Sequence, residues 1–366
     1  MNPILTSLLM ISSISGSLAL LLSVANKTIG NYGEVKLSIN KEKEYIVDGG
    51  DTLLSTLVEQ EIFIPSACGG KGSCGYCKIH VKSGGGQLLA TERGYVTEQE
   101  AEEGIRLSCQ LKVKEDIQIE IPAELFNVKQ YDYIVNGLDP VTPKIKHVKL
   151  ALPKDKKIEF KAGQFIQILT PTYKGNDEEV YRAYSIASSP AEKDHIELFI
   201  GYIPEGKCST YIHQHLKENE KLTVVGPFGD FCYQDNNNEM IMVAIGTGMA
   251  PIMSILKHMR SNNIDRKCTF YFGARTVDDL YMMDELEALE KDMPNFTLLP
   301  VLSRPKTEDN WTGETGRVTD MLEKYVLDGV GKEAYLCGSP VMIDAVVEIL
   351  IAKGIPENLV MYDKFE

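Results

Sequence analysis

Four cysteines in this chain of 366 residues have the spacing expected of metal ligands. Cys68, Cys74 and Cys77 lie within a glycine-rich stretch, and Cys109 follows in a separate segment. Such a stretch suits a small iron–sulfur cluster, because glycine adopts the positive φ angles that a backbone folded closely around an inorganic core requires. The C-x₅-C-x₂-C pattern is one residue longer than the pattern of plant-type 2Fe–2S proteins. We therefore predict that these four residues bind a 2Fe–2S cluster.

Two other interpretations of the cysteines remain open, a structural zinc site and buried thiols without a metal. Structural zinc sites usually combine two closely spaced cysteine pairs, whereas Cys109 stands alone. His80 is interpreted as a structural strand residue, although histidine replaces cysteine in some clusters. Three other cysteines are most simply small, semi-buried residues: Cys208, Cys232 and Cys268.

The segment 33–125 around these cysteines is predicted to form a β-grasp domain, the fold of plant-type ferredoxins. Alternating polar and apolar residues predict strands, and one capped amphipathic stretch predicts a helix. The predicted strands are 34–39, 44–47, 78–81 and 117–121, and the predicted helix is 51–58. In this order, a hairpin and a helix precede the cysteine loop, and further strands hold it.

The segment 128–235 contains short strands separated by glycine and proline turns, which predict an antiparallel β-barrel. Arg182, Tyr184 and Ser185 place a cation, an aromatic ring and a hydroxyl together in one strand. A second cluster precedes a helix predicted over 211–216, and amide groups at a helix N-terminus can bind a pyrophosphate. Its candidate residues are Cys208, Ser209 and Thr210.

The segment 236–366 begins with an apolar strand that runs into a glycine turn and then a helix, the order that cradles a phosphate. The turn contains Gly246, Gly248 and Pro251. Further strands end in glycine turns and precede helices, so the alternation predicts a doubly wound parallel α/β sheet with its ligand at the carboxyl ends of the strands. Cys337 lies at such an end, and we predict a functional role for it.

The segment 1–30 is predicted to be a membrane anchor. No charged residue occurs from Pro3 to Asn26, and this length suits a transmembrane helix of roughly 20 residues. A cleaved secretory signal is the main alternative, but it requires a basic start that this chain lacks. Lys27, the first charge after the apolar stretch, favours a cytoplasmic location for the domains that follow. The net charge of −14 argues against a nucleic-acid partner.

Taken together, these motifs resemble the ferredoxin–NADP reductase superfamily with an N-terminal 2Fe–2S domain. The family's motifs occur in its order at 182–185, 226–229, 246–251, 272–276 and 337–340. Further features make the resemblance more specific: the apolar N-terminus, the cysteine loop and the segments 106–110, 124–129 and 310–313. They resemble the F subunits of sodium-translocating NADH:quinone reductases.

The resemblance implies three cofactors, a 2Fe–2S cluster, FAD and NADH. It implies a membrane-anchored NADH dehydrogenase subunit that passes electrons from NADH through FAD and the cluster to a membrane partner, and ultimately to quinone. The chain would be a single-pass protein of the cell inner membrane, with its redox domains on the cytoplasmic side. Its partners would be the other membrane subunits of an ion-translocating quinone reductase.

The resemblance also implies roles for individual residues. Arg182 would face the FAD pyrophosphate, Tyr184 would stack on the isoalloxazine ring, and Ser185 would hydrogen-bond near flavin N5. Phe365 would cover the other flavin face, and Cys337 would lie beside the nicotinamide. The remaining implied contacts are Ser209 and Thr210 with phosphate, and Gly246, Gly248 and Pro251 with NADH.

The chain departs from the F subunits at two places. The segment Pro171–Tyr181 is short where typical F subunits carry a long insertion. Gly201 stands where relatives often have a second arginine, which leaves Arg182 as the main cationic anchor for the flavin.

The coenzyme and the reaction class follow from the same motifs, with two alternatives. Asp278 and Asp279 follow the second strand of the α/β segment together with Thr276, and acidic side chains there predict NADH in preference to NADPH. One alternative is the reductase component of an oxygenase system, which is normally soluble and would lack the apolar N-terminus. The other is a membrane-tethered electron carrier or redox sensor without NADH turnover.

Overall fold

The computed structural model describes residues 10–19, 32–66, 68–122, 125–126 and 128–365. The chain divides into two compact units, Met1–Val128 and Lys129–Glu366. Residues 10–19 are helical (α1) and exposed. Within the described ranges, no helix is both long and apolar enough to cross a membrane. Apart from α1, the anchor predicted over 1–30 lies outside the described residues.

The first unit is built on a five-stranded mixed sheet. Its order is β2-β1-β5-β3-β4, with β1 parallel to β5 and antiparallel to β2. The strands are β1 (Glu34–Ile39), β2 (Lys43–Asp48), β3 (Lys78–Ser83), β4 (Ile105–Leu107) and β5 (Ile117–Glu120), and the helices are α2 (Leu53–Glu59) and α3 (Glu98–Glu102). Thr52 caps α2, and Leu53 and Leu57 from that helix pack into the core of the sheet. This arrangement is the β-grasp plan predicted from the sequence.

The second unit begins with a six-stranded antiparallel sheet of order β10-β7-β6-β11-β8-β9. Its strands are β6 (Lys129–Thr142), β7 (Ile145–Ala151), β8 (Phe165–Thr170), β9 (Val180–Ser185), β10 (His195–Gly201) and β11 (Lys221–Phe228). A single bridge joins Ile186, directly after β9, to Leu198 in β10. The antiparallel sheet is confirmed, and its closure into a barrel stays a prediction.

The helix between β10 and β11 begins earlier in the chain than the sequence predicted. We expected it to start at Tyr211, but α4 (Lys207–Thr210) starts directly after Gly206, and a π-helical turn follows over Tyr211–His215. The amide of Thr210 donates to the carbonyl of Gly206 at 2.8 Å, so the first helical turn already includes the predicted pyrophosphate residues.

The rest of the second unit is a parallel sheet of order β15-β14-β13-β12-β16-β17. Its strands are β12 (Glu239–Ile245), β13 (Cys268–Ala274), β14 (Phe296–Leu302), β15 (Glu314–Thr315), β16 (Lys332–Gly338) and β17 (Val360–Lys364). The helices are α5 (Met249–Ser261), α6 (Met283–Asp292), α7 (Val318–Tyr325) and α8 (Pro340–Ala352), with 3₁₀ turns at Gly246–Gly248, Val277–Asp279, Thr307–Asp309 and Glu357–Leu359. The apolar residues of α5 and α6 form one core with the sheet, and those of α7 and α8 form another. The sheet is therefore doubly wound, as predicted.

A buried network fixes the segment between the two sheets of the second unit. Arg266 lies 2.7 Å from the Glu333 carboxylate, and the Tyr335 hydroxyl donates to the same oxygen at 2.8 Å. The segment joins this network because Arg266 donates to the carbonyl of Gln234 at 2.8 Å, and the Gln234 amide donates to the Tyr335 hydroxyl at 2.9 Å. Burying these charges is tolerable because each has hydrogen-bonded partners.

Candidate functional site

The cysteine loop of the first unit has the backbone that the sequence predicted. Four of its glycines have φ between 65° and 84°, in the left-handed region. A Cβ on Gly72 would come within 2.6 Å of the Gln110 side chain, and one on Gly75 within 3.0 Å of the Tyr95 ring. A side chain at either position would require the Gln110 or Tyr95 side chain to move, and the positive φ favours glycine at both positions.

The four cysteine sulfurs lie in two pairs. Cys68 Sγ and Cys74 Sγ are 3.4 Å apart, and Cys77 Sγ and Cys109 Sγ are 3.2 Å apart. A hydrogen bond within each pair lowers the pKa of Cys68 and of Cys109 and raises that of Cys74 and of Cys77. Two thiol pairs fit a centre with two irons, each bound by two cysteines.

A buried ion pair holds the segment that carries Cys109. Glu92 and Arg106 are buried side chains joined by three hydrogen bonds of 2.6 to 3.1 Å. Burial raises the pKa of Glu92, but the bonds from Arg106 and from the Leu89 and Leu107 amides outweigh it and hold that pKa below its usual value. The pair thus ties the turn around Glu92 to β4, directly before Cys109.

The same turn also reaches the cysteine loop. The Tyr95 hydroxyl donates to the carbonyl of Ser73 at 2.8 Å. On the other side, the amide of Ser108 donates to the carbonyl of Cys77 at 2.9 Å. The sequence analysis did not identify Glu92 or Tyr95, because neither belongs to the cysteine pattern.

In the second unit, the predicted flavin residues Arg182, Tyr184 and Ser185 lie in β9, between its third residue and its last. Burial raises the pKa of Tyr184 well above its usual value. Arg182 and Tyr184 are half-buried, and Ser185 is buried. Tyr184 packs against an apolar core to which the buried Cys208 side chain belongs.

The predicted phosphate residue Ser209 is buried and bonded locally. Its hydroxyl donates to the carbonyl of Ile203 at 3.1 Å and accepts from the amide of the same residue at 3.2 Å. The Tyr173 hydroxyl donates to the carbonyl of Lys207 at 2.8 Å, which fixes the start of α4 from the other side. These bonds shape the turn, so a phosphate contact from Ser209 would come from its backbone amide.

The glycine turn of the parallel sheet lies directly against the end of β16. A Cβ on Gly248 would come within 2.4 Å of the Cys337 carbonyl oxygen. The Tyr281 hydroxyl donates to the carbonyl of Gly246 at 2.9 Å, a contact for which the sequence contained no signal. Pro251 lies in the first turn of α5, where its missing N–H removes no helical hydrogen bond.

Cys337 and Phe365 lie at neighbouring strand ends. Cys337 is fully buried, and burial together with Asp363 raises the pKa of its thiol well above the usual value. The Phe365 amide donates to the carbonyl of Gly338 at 2.8 Å, which continues the pairing of β16 with β17. A protonated, buried thiol is suited to packing beside a ligand and not to proton transfer.

The acidic residues predicted to select NADH are engaged with neighbours. Asp278 Oδ2 lies 2.9 Å from the Lys306 ammonium, and both side chains are exposed. Asp279 accepts hydrogen bonds from the amide and the hydroxyl of Thr276, both at 3.1 Å. Asp278 is thus the more exposed of the two carboxylates at this strand end, and its charge is partly offset.

Family models match three consecutive parts of the chain. A 2Fe-2S iron-sulfur cluster binding domain matches 37–114, an oxidoreductase FAD-binding domain matches 134–233, and an oxidoreductase NAD-binding domain matches 242–348. The cofactor predictions for a 2Fe–2S cluster, FAD and NADH are therefore confirmed at the level of domains.

Two relatives align with nearly the whole chain. The F subunit of the Na(+)-translocating NADH-quinone reductase of Neisseria meningitidis serogroup C / serotype 2a is 37% identical, with 99% of each chain covered. The F subunit of the same enzyme from Idiomarina loihiensis is 38% identical, with 91% of this chain and 92% of the relative covered. The Neisseria alignment spans 402 positions and is longer than this chain, so that relative carries residues that this chain lacks.

Solved structures share the fold. The cytochrome P450 reductase GcoB of Amycolatopsis superposes with a TM-score of 0.75 at 24% identity, covering 90% of this chain and 98% of that one. A ferredoxin reductase in carbazole 1,9a-dioxygenase superposes with a TM-score of 0.70 at 23% identity, covering 91% and 99%.

Proposed function

The chain belongs to the family of F subunits of the Na(+)-translocating NADH-quinone reductases, and from this premise we propose that it oxidises NADH and delivers the electrons to a redox partner in the membrane, ultimately to quinone. The observation that carries the proposal is the presence, in one chain, of two thiol pairs suited to a 2Fe–2S cluster and of matched FAD- and NAD-binding domains. The domains are proposed to be the cluster domain 33–125, the FAD domain 128–235 with a closed barrel, and the NADH domain 236–366.

When bound, the cofactors would supply the redox chemistry, which is hydride transfer from NADH to FAD and one-electron transfer from FAD to the 2Fe–2S cluster. The protein binds and orients them. Cys68 and Cys74 would bind one iron, and Cys77 and Cys109 the other, because the sulfurs lie in those pairs.

The flavin contacts are assigned to β9 and α4. Arg182 would neutralise the FAD pyrophosphate together with backbone amides of the segment 208–210. Tyr184, packed against the core that contains Cys208, would present its ring to the isoalloxazine. Ser185 would donate near flavin N5, and Phe365 would cover the opposite face of the ring.

The nicotinamide contacts are assigned to the glycine turn and the end of β16. The close approach of Gly248 to Cys337 leaves no side chain between the two elements, so a dinucleotide can lie on the backbone there. Gly246 and Pro251 would shape the same pocket. Cys337 would contact the nicotinamide as a neutral, buried group.

The membrane part of the proposal rests on the N-terminal segment. We assign 1–30 to a single anchor in the cell inner membrane, with the redox domains on the cytoplasmic side and the other subunits of a quinone reductase complex as partners. The apolar composition of 1–30 supports this assignment. Isolation of the full chain from membranes, followed by identification of co-purifying subunits, tests it.

The redox part is tested with the purified full chain. NADH should bleach the bound flavin and support ferricyanide reduction, and dithionite should produce the paramagnetic signal of a reduced 2Fe–2S cluster. Arg182→Ala should lose FAD, whereas Arg260→Ala, which removes an exposed pair with Asp292, should keep it. Zinc in place of iron, or no flavin reduction by NADH, would contradict the proposal and favour a carrier without NADH turnover.

A further inference from the structure

One face of strand β10 contacts the NAD-binding half of the second unit through alternate residues. Glu197, Phe199 and Gly201 lie two residues apart, so their side chains point to the same face of the strand. Phe199 belongs to the same buried core as α5. The FAD-binding sheet is therefore in direct contact with the elements that carry the glycine turn.

At Glu197, the first of these β10 positions, the ammonium of Lys257 in α5 lies between two carboxylates. Its Nζ is 2.7 Å from Glu197 on β10 and 3.0 Å from Glu285 on α6. His147 on β7 lies 3.5 Å from the other oxygen of Glu197. The Lys257 side chain is only 8% exposed. This group, which we name the Lys257 bridge, comprises Lys257, Glu197 and Glu285.

Two hydroxyl contacts extend the same face of α5. The Ser254 hydroxyl donates to the carbonyl of Ser188 at 2.7 Å. The hydroxyls of Ser261 and Ser189 are 3.3 Å apart. Helical spacing places Ser254, Lys257 and Ser261 on one face of α5. This face is attached to β10 and to the segment between β9 and β10.

The other two β10 positions, Phe199 and Gly201, connect the strand to the glycine turn Gly246–Gly248. Phe199 packs edge-on against Tyr281 at 5.0 Å between ring centroids, and the Tyr281 hydroxyl donates to the carbonyl of Gly246. A Cβ on Gly201 would come within 3.3 Å of the Thr247 methyl group. The strand thus contacts α5 at its middle and the turn that precedes it.

Stability alone does not explain a charged group at this place. A buried ion pair often contributes no more to stability than apolar residues of the same volume, but it requires one specific geometry. The Lys257 bridge is satisfied only when Nζ lies between both carboxylates, so it specifies the position of α5 in addition to the apolar packing of that helix.

We propose that Lys257 is a positioning residue for hydride transfer: by joining Glu197 of the FAD-binding sheet to Glu285 of the NAD-binding half, it sets the position of the glycine turn relative to β9. The inference rests on the proposed function and adds the element that aligns its two halves. A displacement of about 1 Å in such a site can reduce a rate by about 100-fold.

The test is stopped-flow reduction of the flavin by NADH in the full chain. In Lys257→Met, which keeps most of the volume and removes the charge, we expect the limiting rate of flavin reduction to fall by about tenfold to about 100-fold. FAD content and the cluster signal should stay at wild-type levels, and the apparent dissociation constant for NADH should change less than the rate. Lys257→Arg should recover most of the rate, which a purely volume-dependent role would not predict.

Lys267, an exposed lysine of the NAD-binding half, provides a matched control. Lys267→Met breaks the contact of Lys267 with Glu239, 3.1 Å, and should reduce flavin at the wild-type rate. Glu197→Gln applies the same test from the partner side if Lys257→Met fails to accumulate. Wild-type rates in folded variants of Lys257 and Glu197 would overturn the inference. Failure of the wild-type chain to reduce flavin with NADH would instead contradict the proposed function.

Discussion

Gly248 and Cys337 belong to neighbouring parallel strand ends, and a Cβ on Gly248 would lie 2.4 Å from the Cys337 carbonyl oxygen and 2.6 Å from its carbonyl carbon. Both atoms are backbone, so no side-chain rotation can relieve the contact. The position requires glycine because of this approach, since its own φ of −60° is open to any residue.

Gly248→Ala should therefore displace the glycine turn from β16. We expect a loss of about 1–3 kcal/mol in the free energy of unfolding and a weaker NADH complex, with FAD retained. NADH titration of the flavin signal together with thermal unfolding measures both effects. Gly331→Ala is the control for NADH binding: alanine is strained at its φ of 65°, so stability should fall, but no neighbour lies within 4 Å, so the NADH complex should be unchanged. If Gly248→Ala bound NADH as the wild type does, the turn would not be part of the pocket.

The cysteine pairs predict that the two redox steps can be separated. Cys77→Ser should remove the cluster signal, because the remaining ligand of that iron would be Cys109 alone. Reduction of ferricyanide by NADH should persist, since it needs only the flavin half. Electron transfer from the full chain to a quinone analogue in the isolated complex should be lost.

Cys232→Ser is the control for this substitution. Cys232 is buried in the second unit and does not belong to the cysteine pattern of the first unit, so it is not a candidate ligand. The variant should keep the cluster signal and both activities. Loss of ferricyanide reduction in Cys77→Ser alone would show that the flavin depends on the cluster, against this prediction.

The sequence predicted those parts of the site whose chemistry lies in contiguous residues. The cysteine loop, the segment 182–185 and the turn from Gly246 could be proposed as candidates because their spacing and residue types are visible in the sequence, and their roles stay predictions. The doubly wound sheet followed from the alternation of apolar strands and helices. The helix start at Lys207 was missed because nothing in that segment before Tyr211 has a helical apolar pattern.

Pairs of residues that are distant in the chain could not be predicted. Glu92 and Arg106, or Glu197 and Lys257, look like ordinary surface residues until the fold buries them together. The same holds for the approach of Gly248 to Cys337, which depends on the order of strands in the sheet. Burial and pairing are set by tertiary contacts, whereas a single sequence shows only which residues carry a charge.

The buried pair of Glu92 and Arg106 predicts a large difference between two similar substitutions. Glu92→Gln would leave the Arg106 charge buried without a carboxylate and should destabilise the first unit by about 3–5 kcal/mol. The lowered pKa of Glu92 adds a pH dependence: its stabilisation is complete above the ordinary glutamate pKa and is lost as the pH falls toward the lower folded value. Unfolding followed by the cluster absorbance measures the loss.

Glu100→Gln is the matched control in the same unit. Glu100 also pairs with a cation, Lys78 at 2.6 Å, but both side chains are about a third exposed. The amide can replace the carboxylate as the capping acceptor for Thr97, so we expect a change of no more than about 1 kcal/mol. Equal effects of the two substitutions would mean that burial of the Glu92 pair is unimportant.

The contact between Asp278 and Lys306 predicts how strictly the chain selects NADH. Asp278 is the exposed carboxylate after β13, at the strand end where a 2′-phosphate would lie, and Lys306 at 2.9 Å offsets part of its charge. The wild-type chain should therefore prefer NADH. In Asp278→Asn the repulsion disappears while Lys306 remains. At about 1 kcal/mol for two unit charges near 4 Å in water, kcat/KM for NADPH should rise by about fivefold, with little change for NADH.

Two controls separate this local repulsion from a general effect of charge: added salt, and removal of a second ion pair. The gain for NADPH in Asp278→Asn should shrink at high salt, because exposed charges are screened. Asp328→Asn removes a similar pair, with Lys332 at 3.0 Å, beside the start of β16 and therefore away from the carboxyl ends of the strands. That variant should leave the ratio of the two kcat/KM values unchanged. A constant NADH-to-NADPH ratio in Asp278→Asn would show that selection is made elsewhere in the pocket.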